Sequence, residues 1–446
     1  MTLQLPHPFA LLLSAVAVAA ALTWVLPAGL YDRRTDTATG RIVVVAGTYH
    51  RVPAAPIGPF ATSVAIPRGF IAAADVIAVT LFVGGAFVVV DRIGTLSRLV
   101  AAIAWAFRRR GLWAVAVVAV VFATLGAIEN TEEEIIPLVP VLLLLGRSLG
   151  VGPITVVAMS FGASMVGSAF SPVNPFQAAI AMKLAQLPLG SGFGIRLAMF
   201  TVGVALWTAW TLGYAARTRT AAATSDTGAP AHLTLREGVI LVAVLAPMAA
   251  YVYGTLRLDW GFVELGGLFF VGGLVAGLVG GLRLTGTVTA FLEGAQSLLP
   301  ATMLIGMARS ISLVLTDGQI IDTILHGLAM PLATVSAGAS ALLMIPFHTI
   351  VHVPVPSVSG QAVLTMPILV PLADLLGLSR QVPVLAYQTG AGLMELLTPT
   401  NGALMSVLLA ANVRYEHWLR FAVVGWGLGT LVGAATIITV LWFGIG

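Results

Sequence analysis

Long stretches almost free of charge alternate with short polar segments along this chain, and each apolar stretch is near the length of one membrane crossing. A helix rises about 1.5 Å per residue, so about 20 apolar residues cover roughly 30 Å of hydrocarbon. Runs of that length predict spanning helices at 8–30, 72–90, 197–216, 237–256, 262–282, 296–316 and 419–444. Two other regions, 111–188 and 323–413, are too long for one crossing and too interrupted for two ordinary ones. Both carry prolines and polar clusters inside an apolar frame.

Three polar segments separate these runs. Residues 31–71 read as the longest loop. Residues 92–110 hold Arg92, Arg98 and the run Arg108-Arg109-Arg110 around an amphipathic stretch, Leu96 to Phe107. Residues 217–236 read as a flexible linker on the cytoplasmic side, and Thr234 with Glu237 has the spacing of a capping box that opens the next helix. Placing the short arginine-bearing loops inside puts the N-terminus in the cytoplasm and loop 31–71 outside. From Met1 to Tyr31 there is no charged side chain and no clear cleavage site, so this stretch reads as a spanning helix rather than a secretory signal.

Composition removes the soluble alternatives. Of 446 residues, 58% are hydrophobic and 9% charged, with a mean hydropathy of +1.00, against roughly a quarter charged in ordinary globular proteins. The alternation of a transmembrane barrel is absent, so the backbone must pair within helices. The net charge of +4 comes almost wholly from arginines in separate loops, which form no stripe for nucleic acid. With no cysteine, disulfides, thiolate catalysis and zinc–thiolate sites are excluded.

An internal repeat organises the rest. Ser171-Pro172-Val173-Asn174-Pro175 aligns with Thr398-Pro399-Thr400-Asn401-Gly402, and Leu149-Gly150 aligns with Leu376-Gly377 at the same offset, close to half the chain. Upstream, Glu133 to Pro140 answers Val363 to Pro371, each behind a polar cluster: Glu129-Asn130-Thr131-Glu132 and Ser357-Val358-Ser359-Gly360-Gln361. Each half thus holds a re-entrant hairpin (111–148 and 331–378) and a helix broken mid-membrane (153–188 and 383–411). Counting crossings puts the second hairpin on the opposite side from the first. The expected fold is an all-α polytopic membrane protein of two inverted-topology repeats, 1–216 and 237–446, the latter with an extra span.

Broken helices in hydrocarbon leave polar backbone groups that need protein, water or ligand. Half-helix N-termini offer N–H groups to a carboxylate, and Ser171, Asn174, Thr398 and Asn401 supply oxygens for a candidate Na⁺ site. The acidic tip is a second candidate. At a helix period Glu129, Glu132 and Glu133 share a face and Glu134 points aside. Acids at membrane depth read as proton or cation carriers, and Glu395, isolated in a charge-free run, reads the same way. Arg309, inside the 296–316 run, is a candidate clamp for a substrate carboxylate. Asn130, Thr131, Glu133, Asn174, Ser359, Gly360, Gln361, Glu395, Thr400 and Asn401 complete the expected substrate-contacting set. His348 and His352 have zinc-protease spacing, but Thr349-Ile350-Val351 between them lacks the general-base glutamate. No Gly-Lys-Ser loop follows the paired glycines of 266–281, which argues against an ATP-driven pump.

At Gly47-Thr48-Tyr49-His50, Ala74-Asp75-Val76-Ile77, Glu133 to Pro137, Asn174-Pro175-Phe176, Ser359 to Pro367 and Thr398-Pro399-Thr400, the chain resembles the YfcC family of the C4-dicarboxylate anaerobic carrier group. The resemblance runs nearly the whole length. It implies secondary transport of small carboxylates or amino acids through the bacterial cytoplasmic membrane, on an architecture of scaffold and transport regions with paired hairpins. It also points to homodimers, usual in the wider superfamily. Two positions depart from the family pattern: Gly390-Ala391-Gly392 stands where relatives carry Gly-Asp-Gly, and His352 where they more often carry asparagine. The expectation is therefore a transporter, not an enzyme, for a dicarboxylate or amino acid, coupled to Na⁺ or H⁺ and free of other cofactors. A basic amino acid exchanger is the near alternative; an intramembrane metalloprotease or a passive channel is remote.

Overall fold

A computed structural model describes residues 7–96, 98–99, 102, 111–219, 234–258 and 260–444. The arginine run 108–110, most of the amphipathic stretch and the centre of the 217–236 linker lie outside the described residues. Among those residues, eight helices are long and apolar enough to cross a membrane.

The first half begins with α1 (Pro8–Val25), α2 (Pro59–Ala72) and α3 (Ala74–Ile93). Helix α2 corrects the reading of 31–71 as loop throughout. Pro59 stands at the first helical turn, where its missing N–H costs nothing, and Pro67 is carried inside the helix. Gly69 lies so close to the backbone of Gly306 and Ser310 that a β-carbon would collide with it. Next come α4 (Gly111–Glu129), a turn, a 3₁₀ segment (Glu133–Leu138) and α5 (Val139–Leu149). Helix α6 (Pro153–Ala169) contains a π turn at Ala158–Gly162, and α7 (Ala178–Leu184) follows its break. Helix α8 (Phe193–Thr218) closes the half.

After the linker come α9 (Leu235–Leu258), α10 (Phe262–Val279) and α11 (Arg283–Asp317). The capping box forms as its spacing predicts, with Thr234 N donating to Glu237 at 2.8 Å and Glu237 N to Thr234 at 3.3 Å. The 296–316 run proves to be the C-terminal part of a 35-residue helix, α11, whose polar start lowers the apolar signal. It is the central post, packing on α1, α2 and α3. A short α12 (Ile321–Ala329) leads to the second hairpin, α13 (Ala337–His352) and α14 (Val358–Leu375). Helix α15 (Gln381–Tyr387) runs into a π turn at Gln388–Gly392, a break, then α16 (Gly402–Ala410) and α17 (Tyr415–Phe443). Both broken helices therefore carry a π turn ahead of their proline-polar interruption, a construction that recurs at functional sites.

The 31–58 segment is not wholly irregular. Four short strands form two antiparallel ribbons, β1 (Gly29–Leu30) with β4 (His50–Arg51) and β2 (Arg33–Thr35) with β3 (Ile42–Val44). Val43 and Val44 are buried and β3 lies against α14. At the other end Tyr49 stacks on His326 of α12, and buried Asp322 accepts from Tyr31 N at 2.9 Å and pairs with Arg33 at 3.0 Å. Burial beside Asp322 and Tyr49 pushes the Tyr31 hydroxyl up to about 12. The loop is thus a docked cover.

Candidate functional site

Both interruptions are closed by their asparagines. Asn174 Oδ1 accepts from Phe176 N and Gln177 N, each at 2.9 Å, while its Nδ2 donates to Gly126 O at 2.8 Å and Ser168 Oγ at 3.2 Å. Ser171 Oγ accepts from Val173 N and Asn174 N and donates to Ala127 O. In the second half Asn401 caps α16, its Oδ1 accepting from Leu404 N at 2.9 Å. Thr398 and Thr400 hydroxyls meet at 2.8 Å; Thr400 donates onward to Val353 O, so Thr398 is the donor between them. These bonds change the picture of a Na⁺ site. The side-chain oxygens of Ser171, Asn174 and Asn401 are already engaged by backbone N–H groups, and of the four residues Asn401 alone is in the lining of the cavity at the acidic tip.

The acidic tip also differs from a helical one. Helix α4 ends at Glu129, Asn130 takes a left-handed turn (φ 60°), and a 3₁₀ segment begins at Glu133. Asparagine tolerates that conformation better than most residues. The helix-period separation of Glu134 from its neighbours therefore fails: all four glutamates line one cavity of about 500 Å³. Glu134 additionally accepts from Glu132 N at 2.9 Å.

That cavity brings together pieces distant in sequence. Asp75 of α3 and Glu395 join the tip, making six carboxylates among the described residues, faced by Arg309 of α11 and Arg41 next to β3. Neither arginine forms an ion pair among the described residues. Ser357 to Ser359 and Asn401 to Ala403 also line it, so the first turns of α14 and α16 both open onto it. A helix's first N–H groups lack intrahelical acceptors. Here the caps Ser357 and Asn401 take those of Gly360 and Leu404, and the earlier ones belong to residues at the cavity wall.

Of the expected set, Glu129, Asn130, Glu132, Glu133, Arg309, Ser359, Glu395, Thr400 and Asn401 line the cavity; Thr131, Ser171, Asn174, Gly360, Gln361 and Thr398 stand behind it. The two breaks are nonetheless linked. Asn174 contacts Ser168, Ser168 donates to Asn130, Asn130 Nδ2 lies 3.5 Å from Glu132, and Glu132 accepts from Asn401, which also donates to Glu395. Gln388 ties the same regions from behind, donating to Ser171 O at 2.9 Å and accepting from buried Arg196 at 3.0 Å. Behind Glu395, His352 Nε2 stands 3.0 Å from its Oε1, and Gln361 bridges His352 and His348. No cluster of three metal-ligating side chains occurs among the described residues. Sequence patterning does not single out Arg41 or Asp75 as site residues. Only the match at Ala74-Asp75 points toward the second, and nothing local marks the first.

Eight helices of spanning length among the described residues, with a polar cavity lined from both halves of the chain, fit a multi-pass membrane transporter. The chain belongs to the C4-dicarboxylate anaerobic carrier family, whose model matches residues 5–441. It is 27% identical to the Escherichia coli protein named "Putative basic amino acid antiporter YfcC" over 485 residues, 97% of this chain and 96% of that one. An uncharacterised Haemophilus influenzae protein is 26% identical over 494 residues, covering 98% and 97%. Similar solved structures include the YdaH transporter of Alcanivorax borkumensis (TM-score 0.46, 20% identity, 98% of this chain and 99% of that one). Another is MtrF of Neisseria gonorrhoeae, from a class of antimetabolite efflux pumps (TM-score 0.43, 17% identity, 97% and 94%).

Proposed function

We propose that the chain is a secondary active transporter of the bacterial cytoplasmic membrane that carries a small solute bearing both a carboxylate and a cationic group, a basic amino acid. The acid-lined cavity carries this reading. Six carboxylates against two arginines leave it negative unless four are protonated. Like charges about 4 Å apart cost roughly 4 kcal/mol at an effective dielectric near 20, so a dianion meets repulsion where an ammonium or guanidinium meets partners. The α-carboxylate has its own place, between Arg309, Arg41 and the first turns of α14 and α16. The volume, about 500 Å³, lies within the range of small-molecule sites. The matched hairpins and π-turn helices support alternating access by two inverted halves around this cavity. The name of the Escherichia coli relative agrees with the substrate class.

The test is exchange in proteoliposomes loaded with arginine, lysine or ornithine, with labelled arginine outside. Arginine uptake that depends on a basic amino acid or ion gradient inside supports the reading. A dicarboxylate remains the second reading, favoured by two cavity arginines that form no ion pair among the described residues. Uptake of succinate with no uptake or competition by arginine would replace the first reading with the second.

A further inference from the structure

Two amides fix where the protons lie behind the cavity. Gln361 places one amide atom 2.9 Å from His348 O and the other 2.8 Å from His352 Nδ1. A carbonyl oxygen only accepts, so the atom facing it is the NH₂ group, and the atom facing His352 is the amide oxygen. His352 Nδ1 must then carry a hydrogen. The opposite ring nitrogen, Nε2, stands 3.0 Å from Glu395 Oε1. If the imidazole is neutral, Nε2 is a bare lone pair and Glu395 must be the acid; if it is an imidazolium, Glu395 is the carboxylate. Both descriptions assign one proton to the pair, whose Nε2–Oε1 separation is an ion-pair distance without hydrogen-bond alignment. Asn401 settles the other side in the same way. Its oxygen accepts from Leu404 N, so its NH₂ faces Glu132 Oε1 and Glu395 Oε2, and neither of those oxygens needs a hydrogen.

We infer that His352 and Glu395 together hold a single exchangeable proton, and that the cationic group of the solute displaces it from Glu395 during transport. This rests on the proposed basic amino acid reading and adds its coupling ion. Removing the proton leaves a lone pair facing a carboxylate at 3.0 Å, a repulsive contact, while the Glu395 carboxylate still shares the Asn401 amide with Glu132 Oε1. An ammonium or guanidinium entering from the cavity, which Glu395 and Glu132 both line, restores the lost charge. One proton leaves and one monovalent cationic group enters, so the site keeps its net charge. The neighbours set the field. His348 lies on the same helix, Glu133 and Glu134 follow Glu132 in the tip, and Glu129 and Asp75 line the same cavity. Tyr387 faces from α15, its hydroxyl donating to Val358 O at 2.6 Å, with Arg41 and Arg309 as the opposing cations.

Full-length protein in detergent, weakly buffered with a pH indicator, is mixed with L-arginine while binding is followed by calorimetry. About one proton should leave per arginine bound, the affinity should rise about 10-fold per pH unit across the titration, and Glu395→Gln should release none. His352→Gln should move the midpoint of that pH profile by a unit or more; an unmoved midpoint, or arginine binding without proton release, overturns the inference and leaves the substrate reading standing. If arginine does not bind at all, the substrate reading fails. The proton site is then read by ¹⁵N resonances of labelled histidine, assigned through loss in His352→Gln: a protonated Nδ1 and an Nε2 signal that shifts on titration and changes in Glu395→Gln supports it, and an unprotonated Nδ1 overturns it.

Discussion

Replacing Asn174 by alanine separates a closing role from a ligand role. The side chain makes four contacts, two accepted and two donated. The donated pair is the less costly loss. Gly126 O keeps its bond from Asn130 N at 2.8 Å, and Ser168 keeps Asn130 and Gln177. The accepted pair has no replacement: Phe176 N and Gln177 N lose their oxygen, and Gln177 is fully buried. An unsatisfied buried donor costs about 1–3 kcal/mol. Phe176 is only half-buried, so water recovers part of its loss, and the sum is about 2–4 kcal/mol. Heating aliquots and measuring the surviving monodisperse fraction by size-exclusion chromatography should show a midpoint several degrees lower. Below that midpoint, arginine affinity should stay within a few-fold of the unsubstituted protein. An unchanged midpoint with abolished arginine binding would refute this account, because Asn174 would then be touching solute.

Arg41→Gln should raise the KM for arginine by about 10-fold or more, as expected for one hydrogen bond to a charged group, and leave that for agmatine, which lacks the carboxylate, within about 2-fold; equal effects in competition uptake assays would remove Arg41 from the carboxylate's site. Gly167→Ala should destabilise α6 against α4 by about 1–3 kcal/mol, since a β-carbon there meets Ala123's backbone, whereas Gly213→Ala, facing open space, should be neutral or stabilising in the same thermal assay. Asp322→Asn removes the negative charge of Arg33's ion pair and one of the two oxygens that hold Arg33 and Tyr31 N, and should undock the ribbon-bearing loop. In this cysteine-free chain, maleimide labelling of Val43→Cys should then accelerate by about 10-fold or more, the order expected from losing one ion-assisted bond. Tyr31 loses its proton near 12 in the docked loop and near 10 when free, so its contribution to docking is intact below 10 and lost as pH rises from 10 to 12. The tyrosinate absorbance that disappears in Tyr31→Phe should rise near pH 12 and not near pH 10.

The hairpins and breaks are legible because a polar or proline residue inside an apolar run has few innocent explanations in hydrocarbon. The constant offset between the two halves pairs Asn174 with Asn401. It does not say what each does. A serine or asparagine at an interruption has the same spacing whether it closes backbone N–H groups or holds an ion, and only the bond directions at Ser171 and Asn174 separate the two. Helix α2 is hidden because Pro59 and Pro67 read as loop signals, although proline at a first turn belongs to a helix. Arg41 is illegible for a different reason. Its place at the cavity depends on the docking of β3 against α14, an element from the other half of the chain, and no local pattern reports that pairing.

The division of labour between breaks and tips follows from the same physics. A chain that interrupts a helix at membrane depth must first satisfy the backbone it has freed, and short polar side chains next to the interruption reach those groups best. Ser171 and Asn174 are consumed this way, and Asn401 half so, since its NH₂ still faces two carboxylates. Charge that lines the cavity then has to come from segments whose backbone is otherwise accounted for. The hairpin tip supplies it: the left-handed turn at Asn130 and the 3₁₀ segment after it hold four glutamates on one wall without asking their side chains to close the turn, apart from Glu134. The mutational signature expected of such an arrangement is asymmetric. Substitutions in the first break should act on stability, substitutions in the tip on affinity and pH dependence, and Asn401, standing between the two, should affect both.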